Sequence, residues 1–175
     1  MKHSTLHRPS GSPHGATDPA TLLVSRDYLP ALLARIAAAQ RSIVLVSYVV
    51  SPVIKKTSGP AWTVLQALGQ ASCRRVGVRV ILERSPRERA GSRAARTACR
   101  MLIDMGARAR LGPPGLTVHS KYAVLDTLHV LLGSHNLTNR SLTRNYEVSV
   151  MLAETQIALE LSIGFQRLWD RSEDI

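Results

Sequence analysis

The sequence of 175 residues is poor in cysteine and aromatic side chains and has no long uninterrupted apolar run. Its two cysteines, Cys73 and Cys99, do not form a C-x-x-C pair, so neither a disulfide framework nor a cysteine metal site is expected. We expect two buried thiols. The apolar run at 43–54 is broken by serine and proline and is shorter than the roughly 20 residues of a membrane span. A transmembrane segment is therefore not expected.

Acidic residues are also scarce, because 12 Asp and Glu stand against 23 Lys and Arg, giving a formal net charge of +11. Only four of the basic residues are lysines, and 19 are arginines. The planar guanidinium group donates a fixed fork of hydrogen bonds that suits phosphate. The charge therefore predicts a polyanionic partner, with nucleic acid first and an anionic membrane surface second. A solvated basic surface without a partner is the alternative.

The first twenty residues combine Pro, Gly, Ser, Thr and His and lack the continuous apolar core of a secretory signal. We interpret residues 1–20 as a flexible lead, and the missing signal favours a cytoplasmic location. Residues 21–175 have the length of one domain. With 45% hydrophobic residues, the chain can bury a core without disulfides or metals.

Helical and β-type patterns alternate along this domain, which predicts an α/β fold. A run of β-branched residues at 42–50 is typical of a strand that is covered on both faces. The patterns predict helices at 27–40, 62–71, 86–105 and 155–169, and strands at 42–50, 78–82, 108–111, 116–125, 129–132 and 146–152.

Four arginines lie on one side of the predicted helix at 86–105, namely Arg89, Arg93, Arg96 and Arg100. Ala94, Ala98, Met101 and Met105 repeat the same spacing about 140° away and should pack against the core. The arginine stripe is either a surface that tracks phosphates or a solvated helix face. The stripe contains no aromatic side chain that could stack on a base, so nothing further supports the phosphate-tracking interpretation.

Polar residues at i and i+2 recur on or directly beside three successive predicted strands. His119 and Lys121 lie on one, Ser134 and Asn136 lie in a G-S-x-N segment, and Asn145 and Glu147 lie on the last. Because alternate residues of a strand share a face, we expect five of these side chains to converge at one edge of the sheet, namely His119, Lys121, Ser134, Asn136 and Glu147. In the same segment Gly133 would leave room for close approach of a ligand. Each residue alone also has a plain structural explanation, such as a turn or an edge charge.

Together these residues form the pattern H-x-K, four residues, Asp126, six residues, G-S-x-N, which resembles the HKD motif of the phospholipase D superfamily at every fixed position. The resemblance implies a phospholipase D-like α/β fold, with a mixed β-sheet flanked by α-helices on both faces. It also implies a phosphodiesterase that works without a metal or another cofactor.

The resemblance assigns a role to each motif residue. His119 would attack phosphorus and form a phosphohistidine, while Lys121, Ser134 and Asn136 would hold the non-bridging oxygens. Two carboxylates would support the site: Asp126 as an orienting group, and Glu147 as the acceptor that fixes the tautomer of His119.

The family chemistry uses two histidines, and this sequence contains one H-x-K motif. We therefore expect a homodimer in which a twofold axis brings both His119 side chains together. His129 and His135 are weaker candidates for contact with substrate.

Single-motif dimeric members resemble small nucleases, and the positive charge favours nucleic acid, with DNA expected ahead of RNA. A phospholipid headgroup hydrolase or transferase is one alternative, although we expect no membrane anchor in this sequence. A weakly active nucleic-acid-binding subunit of a larger complex is the other.

Overall fold

The computed structural model describes residues 20–51, 58–84 and 89–175, with the side chains of 89–91 left aside, and its centre is a seven-stranded mixed sheet of order β1-β7-β6-β5-β2-β3-β4. The strands are β1 (Ala20–Val24), β2 (Ser42–Ser47), β3 (Gly77–Leu82), β4 (Arg108–Leu111), β5 (Tyr122–Leu125), β6 (His129–Gly133) and β7 (Val148–Ala153).

Five strands of the sheet run in one direction. β2, β3 and β4 pair in parallel, whereas β5, β6, β7 and β1 are joined to β2 through successive antiparallel pairs. Consequently β1, β2, β3, β4 and β6 end at the same edge, where β5 and β7 begin. We call this the carboxyl edge, and most of the predicted site residues lie there.

Helices cover both faces of the sheet. They are α1 (Tyr28–Ala38), α2 (Pro60–Cys73), α3 (Arg89–Asp104), α4 (Asn139–Thr143) and α5 (Thr155–Arg171), with a short 3-10 helix at Ser25–Asp27. One apolar cluster joins α1, α2 and α3 to the sheet, and a second joins α5 to the opposite face. This architecture confirms the expected α/β fold class. Within the described residues, no helix is long and apolar enough to cross a membrane.

The covered strand β2 shows why the sheet needs helices on both sides. Ile43 and Leu45 enter the first cluster, while Val44 and Val46 enter the second. All four are at most 5% exposed, as expected for a strand that is buried on both faces.

Three strands are shorter than predicted, because their outer residues have no backbone pairing partner on the neighbouring strand. The predicted strand at 116–125 is ordered as a strand only from Tyr122, whose partner Val46 makes the last pair between β2 and β5. Similarly, β7 begins at Val148 rather than at residue 146, and β2 ends at Ser47 rather than at residue 50. His119, Lys121 and Glu147 therefore lie just outside the strands on which they were predicted.

Other differences lie at the periphery. The prediction missed the edge strand β1, which pairs only with the distant β7, and the five-residue helix α4. Ala20 is the first residue of β1, and residues 1–19 of the expected flexible lead lie outside the described residues. Cys99 is buried as expected, whereas Cys73, at the end of α2, is exposed.

Helix α3 also packs differently from the prediction. Its buried residues are Ala95, Ala98, Cys99 and Leu102. The packed face is therefore rotated by about one residue from the predicted set, and Ala94 and Met101 lie at its margin. Residues 86–88 of the predicted helix lie outside the described residues.

Candidate active site at the carboxyl edge of the sheet

His119 and Lys121 occupy the extended segment that leads into β5. The Lys121 Nζ lies 3.3 Å from His119 Nδ1 and donates to the His119 carbonyl oxygen at 2.7 Å. Burial lowers the pKa of Lys121, and the charge of Glu147 acts in the opposite direction. His119 itself is exposed to solvent. The two residues therefore share one side of the segment, as predicted, although the segment is not part of the strand.

Tyr48, directly after β2, forms a wall of this site that was not predicted from the sequence. Its ring lies 4.3 Å from the His119 ring, with an interplanar angle of 53°, and the Lys121 Nζ lies 5.0 Å from the Tyr48 ring centre. These contacts restrict the imidazole and add a cation–π interaction to the ammonium group. The available signal was its place at the end of a buried parallel strand, where ligand-binding residues of α/β sheets collect.

Ser134 and Glu147 meet on the other side of the carboxyl edge. The Ser134 Oγ donates to Glu147 Oε2 at 2.5 Å, while Ser141 Oγ and Asn145 Nδ2 donate to Oε1 at 2.8 and 3.1 Å. Burial alone would raise the pKa of Glu147, but these hydrogen bonds and the charge of His135 lower it below its usual value. Glu147 is therefore a hydrogen-bonded carboxylate anion.

The expected hydrogen bond between Glu147 and His119 is not formed within the described chain, because the Glu147 oxygens accept from Ser134, Ser141 and Asn145 instead. Ser134 is likewise occupied: its Oγ also accepts the Val148 N–H at 3.0 Å. For Ser134 to hold a phosphoryl oxygen as predicted, its hydroxyl proton must turn away from Glu147.

Asn136 follows β6 and is held by its neighbours on both sides. Its Oδ1 accepts the Val49 N–H at 3.0 Å, and its own backbone N–H donates to Ser141 Oγ at 2.9 Å. Among the described residues the Nδ2 group makes no hydrogen bond. The fixed amide therefore offers a donor, as a ligand for phosphoryl oxygen requires.

Asp126 is the motif residue that does not join this cluster. It follows β5 at the opposite edge of the sheet, where its carboxylate accepts the backbone N–H groups of Gln40, Arg41 and Ser42 at 2.8–2.9 Å. Burial alone would raise the pKa of Asp126, but these three hydrogen bonds lower it. The predicted role as an orienting group at the site is therefore wrong. Asp126 fastens the β5–β6 turn to the start of β2.

Gly133 also has a different role from the one predicted. A Cβ atom at this position would lie 2.4 Å from Ser149 Cα and 2.5 Å from the Val148 carbonyl oxygen. The missing side chain therefore makes room for the neighbouring β7 backbone rather than for a ligand.

The two other histidines of this region are structural. His135 is 3% exposed, stacks on Tyr28 at 4.3 Å, and donates from Nε2 to the Ser25 carbonyl oxygen at 2.9 Å. Burial lowers the pKa of His135, while the hydrogen bond to Ser25 and the charge of Glu147 act in the opposite direction. His129 lies at the opposite edge from His119, with Nε2 3.2 Å from Arg35.

The arginine stripe is on α3, which packs beside β3 and β4, whereas Ser134 and Glu147 adjoin β6 and β7. Arg93, Arg96 and Arg100 are exposed, as the spacing predicted. Arg89 is the first residue of the helix. The stripe is thus a separate basic surface, and its contact with substrate stays a prediction.

A buried acid, Glu83, was also missed. It follows β3 at the carboxyl edge, is 3% exposed, and accepts the Val118 N–H at 2.7 Å.

Within the described part of the chain, no group of three or more His, Cys, Asp or Glu side chains is arranged to hold a metal ion.

Comparison with known proteins gives a family match over most of the chain. A family model described as "Cardiolipin synthase, PLD-like domain" matches residues 32–169. A search of curated protein sequences found no match.

Solved structures resemble the fold at low sequence identity. Nuc from Salmonella typhimurium, a phospholipase D family member, matches with a TM-score of 0.73 and 22% identity, covering 89% of this chain and 98% of its own. NucT from Helicobacter pylori matches with a TM-score of 0.71 and 19% identity over the same shares. TrmBL2, an archaeal chromatin protein whose structure shows a mode of DNA binding, matches with a TM-score of 0.61 and 14% identity, over 90% of this chain and 54% of its own.

The family match spans both the H-x-K and the G-S-x-N segments, which both lie at the carboxyl edge. The chain belongs to the phospholipase D superfamily.

Proposed function

We propose that this protein is a phosphodiesterase that cleaves nucleic acid through a phosphohistidine on His119. The observation that carries the proposal is that an exposed imidazole, an ammonium group and an amide whose Nδ2 makes no hydrogen bond among the described residues all lie at one sheet edge, within a matched superfamily domain. Lys121 neutralises charge on the phosphoryl oxygens, and the Nδ2 of Asn136 donates to one of them.

The reaction proceeds in two displacements. A lone pair on a ring nitrogen of His119 attacks phosphorus, forming a P–N bond while the bond to the leaving oxygen breaks. The leaving oxygen takes a proton from a second histidine. Water then attacks phosphorus and returns a proton to that histidine, and the electrons of the P–N bond return to His119. None of these steps requires a metal ion, so we expect hydrolysis to persist in EDTA.

The second histidine comes from a second copy of the chain. His135 is buried in the core and His129 lies at the far edge, so neither is a suitable acid within one chain. A homodimer with its twofold axis at the site supplies the acid as the partner's His119.

Nucleic acid is the favoured substrate because of the charge of +11 and the exposed arginines of α3. The DNA binding described for TrmBL2 supports the same substrate class. The description of the family model favours a phospholipid as the second candidate.

One panel of substrates tests the proposal. Purified protein is incubated with plasmid DNA, single-stranded oligonucleotides, RNA and phosphatidylcholine vesicles, each with and without EDTA. We expect cleavage of nucleic acid that EDTA does not abolish. Headgroup release alone would support the phospholipid alternative, and binding of DNA without turnover would support a nucleic-acid-binding subunit. Loss of cleavage in EDTA with recovery in Mg²⁺ would contradict the mechanism.

A further inference from the structure

Glu83 is a buried carboxyl group that the mechanism above does not use. It lies directly after β3, and its backbone N–H donates to the Ser47 carbonyl oxygen at 3.1 Å. Only 3% of the residue is exposed. Since a buried carboxylate is strongly unfavourable unless it is paired or hydrogen-bonded, Glu83 needs a partner at this position.

The first partner is the backbone that carries the motif histidine. Glu83 Oε2 accepts the N–H of Val118 at 2.7 Å, and Val118, itself 4% exposed, directly precedes His119. This hydrogen bond is the only one that an acidic side chain makes to the segment at 116–121 among the described residues. It therefore holds the backbone that precedes His119 next to the end of β3.

The surroundings leave this carboxyl group little freedom. A Cβ atom on Gly112 would lie 3.1 Å from Glu83 Oε2 and 2.9 Å from Val118 Cγ2. The glycine thus lets the β4–β5 connection close over the hydrogen bond, and the Gly112 N–H donates to the Leu82 carbonyl oxygen at 2.9 Å. Glu83, Gly112 and Val118 form a tightly packed support beneath His119.

Charge gives the second link between Glu83 and His119. Burial raises the pKa of Glu83, while the Val118 hydrogen bond, Arg84 and His119 lower it. Arg84 also forms an ion pair with Glu173, so its charge is shared between two carboxylates. Among the described residues, Glu83 Oε1 accepts no hydrogen bond. His119 is therefore, beside Arg84, one of the two described side chains whose charge acts on the Glu83 carboxyl group.

We propose that Glu83 is a positioning residue for His119, which it fixes through the Val118 N–H and supports with a negative charge. The proposal rests on the proposed role of His119 as nucleophile. When a ring nitrogen of His119 bonds to phosphorus, the ring gains positive charge, and a nearby carboxylate favours that state.

Two substitutions separate the hydrogen bond from the charge. Glu83→Gln keeps an oxygen that can accept the Val118 N–H but removes the charge, whereas Glu83→Ala removes both. We expect Glu83→Gln to lower kcat by about tenfold with KM changed less than about twofold, and Glu83→Ala to lower kcat further. The matched control is Glu160→Gln on the exposed surface of α5, which should leave both constants unchanged. An unchanged kcat in Glu83→Gln, with wild type active, would overturn the charge role.

Two NMR measurements on the full chain do not depend on turnover. In Glu83→Ala the amide hydrogen of Val118 should exchange at least about tenfold faster than in wild type, since its acceptor is lost. In His119→Ala the carboxyl of Glu83 should titrate at higher pH than in wild type, because a group that lowers its pKa is gone. Unchanged exchange and an unchanged titration would overturn the proposal even if the variants lost activity through misfolding.

The same data distinguish failure of this proposal from failure of the proposed function. If wild type cleaves no phosphodiester but both NMR effects appear, the proposed function fails and the coupling of Glu83 to His119 stands. If wild type is active and neither effect appears, only the positioning role fails.

Discussion

Asp126 and Glu147, the two carboxylates of the motif region, lie at opposite edges of the sheet because β5 separates Asp126 from the H-x-K residues. Each carboxylate accepts three hydrogen bonds, and in each case those bonds lower the pKa against the effect of burial. The donors differ, however. Asp126 binds backbone N–H groups at the start of β2, whereas Glu147 binds the polar side chains that form the site. Asp126 is therefore a stability residue, and Glu147 organises the site.

Asp126→Asn should destabilise the fold without removing activity. The amide offers one acceptor oxygen and an NH₂ group to three backbone donors, which should cost about 1–3 kcal/mol of unfolding free energy. Because the folded-state pKa of Asp126 is depressed, its stabilisation is present above the ordinary aspartate pKa and is lost as pH falls through the folded value. Urea unfolding at neutral and acidic pH should show the difference from wild type shrinking in acid. A constant difference would contradict this account.

His119→Ala should remove turnover while leaving substrate binding, because loss of a nucleophile acts on the transition state. We expect kcat to fall by several orders of magnitude and the Kd for nucleic acid to change little. His129→Ala is the matched control, since His129 lies at the other edge of the sheet and should leave kcat unchanged. Equal loss of binding and turnover in His119→Ala would indicate misfolding rather than a missing nucleophile.

The sequence predicted those site residues whose chemistry is encoded in local spacing. H-x-K and G-S-x-N gave His119, Lys121 and Asn136 as candidates, and alternation put His119 and Lys121 on one side. Tyr48 and Glu83 carry no such pattern. They reach the site because β2 and β3 pair in parallel and end together at Ser47 and Leu82. That register is a tertiary property: the end of a buried strand can be predicted from the sequence, but local spacing does not show which strand ends will lie beside His119.

At the scale of elements, pairing explains the remaining differences. The apolar pattern predicts one strand over 116–125, but the pairing between β2 and β5 begins only at Tyr122. The edge strand β1 was missed because its ladder partner, β7, is more than a hundred residues away in sequence. The positions of the four longer helices were predicted more closely, since each of them shows its period within its own sequence, which the five-residue α4 is too short to do.

The arginine stripe of α3 gives a prediction for an element. If Arg93 and Arg96 contact phosphates, replacing both with Ala should lower the slope of log K against log salt by up to about two units. The matched control replaces Arg167 and Arg171, two exposed arginines of α5 on the other face of the sheet. Binding is measured by fluorescence anisotropy over a salt series. A slope equal to that of wild type would mean that the arginine stripe of α3 is a solvated face that does not contact phosphates.

At the scale of the whole molecule, the central question is how one motif completes a site that needs both a nucleophile and an acid. The described residues of one chain provide an exposed His119 and two histidines that are held in structural contacts. A shared site therefore predicts that activity depends on both subunits.

Mixed dimers test this dependence. A tagged heterodimer of wild type and His119→Ala has one His119, and it should be as inactive as the double variant because attack and protonation each need a histidine. Retention of close to half of the wild-type turnover would contradict a shared site. So would a fully active monomer in analytical ultracentrifugation at assay concentration.

Trapping the covalent intermediate tests the central claim most directly. An oligonucleotide with an internal ³²P phosphodiester is mixed with protein in EDTA and quenched in alkaline detergent, because phosphohistidine is stable in base and labile in acid. We predict label on the peptide that contains His119, lost on acid treatment and absent from His119→Ala. Turnover without a labelled protein, or label that persists in His119→Ala, would contradict the account.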